Sequence, residues 1–282
     1  MKWIRSPAWD CGWILSAPLL GLLMLLPLVI SLPTRAITVA LLCINFAHAL
    51  APIVLAWSHP GYRGVMLARP AKFVGAPILV IALGISAAVG TWLLYPTFQL
   101  QRMVLENLRI ENLGVPIVLW ANLYAGWNLY HAGAQNFGVL CLYRRRGFRG
   151  RQRAVVLIAC VVATVFLSHE ASRLFGYQIV GLFCLGLVSV NHWLTAIGLS
   201  AHVHAQSWHC SPWWFVAVVL AAGGLLMWAF QAALLGTFRS AVMALCLRAA
   251  LGIWHFLQDR YLWQFSKPEV RNTIGVAMFA HA

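Results

Sequence analysis

The sequence predicts an all-α polytopic membrane bundle, with about eight transmembrane helices forming one domain over residues 1–282. Three observations predict it. Of the residues, 62% are hydrophobic and only 9% charged, where a soluble domain carries about a quarter charged. The apolar residues gather into runs of ~20, the length that crosses a bilayer. Lys and Arg outnumber Asp and Glu by 20 to 6, and they stand between those runs. Such placement is expected to record orientation in preference to forming a nucleic-acid face.

Each element follows in order. Lys2 and Arg5 precede a first run at 13–31, which is too long for a signal h-region and lacks an A-x-A site, so it is read as a retained span. Further runs lie at 36–57, 73–95, 113–142, 154–168, 177–198, 213–236 and 241–258. Placing the amino terminus inside puts 14 basic residues in inner segments and 5 in outer ones. Both termini are therefore expected in the cytoplasm, in a bacterial inner (cytoplasmic) membrane. The connections are too short for a soluble domain. The basic run Arg144–Arg153 abuts a span, which suits anionic lipid. The lipid bilayer is the expected partner and nucleic acid is not. The 7 cysteines contain no CxxC pair, which argues against a disulfide framework and covalent haem attachment.

The histidines are distributed less evenly than the charges. In this topology His48, His59, His131, His192, His202, His204, His209 and His255 lie toward the cytoplasmic side, against His169 on the outer side and His281 in the tail. Intramembrane polar groups are costly and point to function. Tyr124, Asn128, His131 and Gln135 follow helical spacing and form one stripe, as do Arg248, His255 and Asp259. Asn45 and His48 share a face of the second span, and Asn191, His192 and Thr195 lie toward the inner end of the sixth. Residues 200–212, including His202, His204 and His209, are read as a loop.

Several imidazoles with few carboxylates suit iron, with copper as the alternative, and O2 as co-substrate. HExxH, GxSxG, P-loop and GxGxxG motifs are all absent from the sequence. Zincin, serine hydrolase and NTPase chemistry therefore lack their motifs, and any electrons must come from a separate donor. The set His48, His59, His131, His192, His202, His204, His255 and Asp259 resembles the polyhistidine non-haem iron membrane oxygenases. These include the fatty-acid desaturases and hydroxylases and the bacterial Brp/Blh-type carotene dioxygenases. The desaturase boxes HxxxH and HxxHH are not present; HxH stands at His202–His204 and HFLQD at His255–Asp259. The resemblance implies iron, O2 and a long apolar substrate drawn from the lipid.

His48, His131, His192 and His255 are expected to bind metal directly. His59, His202, His204 and Asp259 would extend the set to a dinuclear centre, so one or two iron ions are expected. Asn45, Asn128 and Gln135 would orient the ligands, while Tyr124, Trp127 and Trp254 would line a substrate channel. Two other functions fit the same residues: a haem b electron-transfer subunit ligated by His48 and His131, or a metal or small-solute transporter using Arg248 and Asp259.

Overall fold

The computed structural model describes residues 3–16, 34–94, 130–135, 137–138, 141, 150–173, 190–263 and 267–279. Among these, all regular structure is helical. The elements are α1 (Pro7–Trp9), α2 (Thr34–Ser58), α3 (Pro60–Leu67), α4 (Ala76–Leu94), α5 (Gly150–Arg173), α6 (Asn191–Trp208), α7 (Pro212–Leu234), α8 (Phe238–Leu262), α9 (Pro268–Val270) and α10 (Val276–Phe279). Three π turns adjoin them: Asp10–Ile14 after α1, Ala71–Gly75 before α4 and Arg271–Gly275 between α9 and α10. Residues 130–135 are helical as well.

Four of the helical stretches are long and apolar enough to cross a membrane: Val39–Ser58, Ala71–Leu93, Pro212–Leu234 and Arg239–Leu262. They coincide with the spans expected at 36–57, 73–95, 213–236 and 241–258. Helix α5 encloses the expected 154–168 and runs beyond it at both ends. Most of the span expected at 113–142 lies outside the described residues, as does the part of 177–198 before Val190.

Two expectations are corrected. The first span does not begin at Trp13. Ser6 accepts the Trp9 N–H at 3.2 Å to start α1, and the helix ends at Leu15. Residues 17–33 lie outside the described set. Asp10 turns its carboxylate back onto the Ile4 and Arg5 N–H groups, at 2.7 and 3.1 Å. The second correction concerns residues 200–212. They are not a loop, because α6 continues to Trp208 and only residues 209–211 connect it to α7. Ser200 and His202 are buried against neighbouring helices, so their polarity marks an interior face and not a helix end. The helix stops where His209 takes a left-handed conformation, φ 49°, and Ser211–Pro212 starts the next one.

Helix α2 lies at the centre of the described bundle, packed against α6, α7 and α8, while α8 also packs against α4. The contact between α2 and α7 depends on Gly223. A Cβ there would fall 2.7 Å from the Ala47 backbone nitrogen and 2.8 Å from the Cys43 carbonyl oxygen. Such close backbone approach is the usual role of small residues between membrane helices. Gly133 is just as tight, since its Cβ would lie 2.6 Å from Val161 Cα of α5. That contact seats the helical turn carrying His131. Pro52 interrupts α2 one turn after His48, leaving the His48 carbonyl without its helical N–H donor.

Candidate metal centre

Four helical segments each bring one imidazole to the same point. His48 comes from α2, His131 from residues 130–135, His192 from the first turn of α6 and His255 from α8. All four are buried, and one nitrogen from each lies within 4.8 Å of the other three. Their rings meet edge-on in a closed circuit. The centroid separations are 4.6 Å for His48–His192, 5.0 Å for His192–His131, 5.1 Å for His131–His255 and 4.2 Å for His255–His48.

The nitrogens in this circuit are poorly satisfied. Among the described residues, His48 Nδ1, His131 Nε2 and both ring nitrogens of His192 and His255 have no hydrogen-bond partner. A buried polar atom left this way costs roughly 1–3 kcal/mol, and the cost recurs around one small volume. A cation accepting one lone pair from each histidine would relieve four of these six nitrogens. Imidazole binds a metal at about 2.0–2.1 Å, which sets ligand nitrogens about 3.4 Å apart in a tetrahedron. The rings need only draw inward by about an ångström to reach that geometry. A buried four-histidine cluster able to hold a metal ion is therefore present.

Asp259 stands at the edge of the cluster. Its Oδ2 lies 3.4 Å from His131 Nε2 in an approach not aligned as a hydrogen bond, and its Oδ1 accepts the Trp263 indole N–H at 2.6 Å. The Phe256 ring lies 4.4 Å from that of His131 at a shallow 31°, so His131 is fixed from the side as well. Two turns before His255, Arg248 donates to Asn45 Oδ1 and lies 4.8 Å over the Phe46 ring.

The other expected ligands lie elsewhere. His59 caps α3, its Nδ1 accepting the Tyr62 N–H at 3.1 Å. Burial holds its imidazole below the ordinary value, as suits a neutral acceptor. His202 Nε2 meets the Met278 carbonyl at 3.1 Å and ties α6 to α10. His204 Nδ1 meets Ser58 Oγ at 3.3 Å, with its ring beside Phe215. The expected dinuclear set is thus corrected to four histidines with Asp259 beside one of them. Helix geometry gives the reason: at 1.5 Å per residue, His202 and His204 lie roughly 15–18 Å along α6 from His192, and His59 is about as far from His48.

The supporting residues divide in the same way. Gln135 is buried one turn after His131, and neither amide atom has a partner among the described residues. Asn45 holds Arg248 instead of a histidine. Asn191 accepts from Ser16, and Thr195 donates to the Trp13 carbonyl, so both secure the amino-terminal segment. Trp254 is half-buried beside His255, and its indole N–H lacks a partner among the described residues. Asn128, Tyr124 and Trp127 lie outside the described residues. Sequence reasoning missed Gln258, which is fully buried with both amide atoms unpartnered among the described residues. It also missed Phe256 and Trp263. The available signal was spacing, since Gln258 follows His255 by three residues and Trp263 follows Asp259 by four.

The chain was compared with known proteins. No family model, no curated protein and no solved structure matches it.

Proposed function

We propose that this protein is an integral membrane oxygenase of the non-haem iron type. It binds one iron on His48, His131, His192 and His255 and acts with O2 on a long apolar, lipid-like substrate. The convergence of four buried imidazoles from four helical segments carries the reading. Iron bound there supplies the one-electron chemistry that O2 requires. The chain's own contribution is a neutral nitrogen donor set, suited to iron and, as the alternative, copper. Asp259 stands beside His131 Nε2, the nitrogen left for the metal, as an anionic neighbour of the cluster, and its Oδ1 accepts the Trp263 indole N–H. Neither the histidines nor Asp259 opens to water, so the reacting centre stays dry. Electrons, where turnover needs them, come from a separate donor.

The apolar surface supports the membrane part of this reading. Ile78, Leu79, Leu83 and Leu93 on α4, and Leu225 and Trp228 on α7, are exposed. Apolar surface on this scale marks contact with lipid or a partner. A bacterial inner membrane fits the distribution of basic residues. The geometry favours a bare ion over haem b, because a porphyrin between His48 and His131 would need the space filled by the His192 and His255 rings.

Elemental analysis of purified protein tests the proposal. About one iron per chain is expected in the wild type, with loss in both His131→Ala and His255→Ala. Full metal content in both folded variants would sink it. A Soret band in the wild type would point to haem instead.

A further inference from the structure

A second cluster lies where α4 begins and α8 ends. Tyr261 is buried, yet its ring has Lys72 Nζ 3.8 Å and Lys267 Nζ 4.2 Å from its centroid. The Tyr261 hydroxyl accepts from Arg69 and donates to Glu269 Oε1 at 2.8 Å, and Arg69 pairs with the same Oε1 at 2.9 Å. Glu269 thus answers Arg69. Among the described residues, neither Lys72 nor Lys267 has a carboxylate within ion-pair distance; Lys267, Arg69 and Arg260 add positive charge in the surroundings of Lys72, against one carboxylate, Glu269. Two like charges are held against one ring by three segments of the chain, the turn before α4, α8 and the residue before α9. The two ammonium groups are no further apart than their summed distances to the ring centre. Cation–π contact orients both lysines without neutralising either.

We propose that Lys72 and Lys267, set on Tyr261, form a binding site for a phosphate group, with an anionic phospholipid headgroup as its source. Lys72 stands at the start of the apolar stretch Ala71–Leu93 and Tyr261 at the end of Arg239–Leu262. Both stretches therefore bring their charges to the same end of the bundle, where headgroups would lie. The proposal uses the membrane reading above but not the metal.

The test uses the full chain in phosphatidylcholine nanodiscs containing increasing phosphatidylglycerol, with retained lipid counted by native mass spectrometry. A basic residue at an anionic lipid surface contributes enough for about fivefold in affinity, so about thirtyfold is expected for two. Wild type should retain phosphatidylglycerol selectively. Lys72→Gln/Lys267→Gln should bind it about thirtyfold more weakly, while Lys72→Arg/Lys267→Arg should retain it. Should the double glutamine variant fail to fold, each single Lys→Gln variant is expected to lose about fivefold. Displacement by inorganic phosphate, with the same lysine dependence, would support the phosphate site and make a free phosphate its source. Equal phosphatidylglycerol retention by wild type and the glutamine variants would overturn the proposal, as would no preference over phosphatidylcholine in the wild type. Iron content is measured on the same samples, so failure here is distinguishable from failure of the metal assignment.

Discussion

Asp259 uses its two oxygens differently, one facing His131 and the other taking the Trp263 indole proton. Loss of a polar partner beside the ligands of a metal typically costs 10–100-fold in metal affinity. Asp259→Asn should therefore fold normally but yield iron to a chelator at about 10–100-fold lower concentration. Unchanged chelator competition would show that Asp259 does not contribute to the metal site. Glu269 gives a pH prediction. Its own backbone N–H, then the Tyr261 hydroxyl and Arg69, hold its carboxyl down to about 2 from an ordinary 4.5. A depressed carboxyl contributes stability that is complete above the ordinary value and disappears as pH falls toward the depressed one. Wild type should thus lose stability between about pH 4.5 and 2, and Glu269→Gln should flatten that slope in acid-unfolding curves. The four histidines were legible as residues because each lies on a polar stripe of an apolar helix. The role of His59 was not, because spacing cannot tell whether an imidazole nitrogen faces a metal or a backbone N–H.

At the scale of the element, adjacent glycines on α7 provide an internal control. A Cβ on Gly223 would meet the α2 backbone, whereas one on Gly224 would meet nothing within 4 Å. Gly223→Ala should destabilise the protein by about 1–3 kcal/mol through overpacking and lower its apparent Tm in detergent. Gly224→Ala should leave Tm unchanged or raise it, because alanine favours helix. Equal effects would mean that the α2–α7 contact is looser than described. Four candidate spans were legible from hydropathy because their exposed sides are mostly apolar. The end of α6 was not, since its inward face carries Ser200 and His202, and a hydropathy window cannot separate a buried polar face from a loop.

For the whole molecule, a metal joining α2, α6, α8 and the segment around His131 would clamp helices that otherwise meet mainly through apolar packing. A ligand bound only by the folded state stabilises it by about 2.7 kcal/mol at a hundredfold excess over Kd. Removing metal should lower the apparent Tm, and adding Fe(II) should restore it in wild type but not in His255→Ala. A Tm insensitive to metal would disconnect the cluster from the bundle. The bundle class was legible from composition alone, whereas the meeting of four histidines was not, because it depends on which helices become neighbours.

The order of the four histidines along the chain also bears on how the protein is made. His48 emerges early and His255 late, so at about 5–20 residues per second the ribosome needs roughly 10–40 s to deliver the remaining donors. Until α8 reaches its neighbours, the nascent chain offers an incomplete set of donors. Any metal held by all four histidines would therefore be loaded only after α8 has been made.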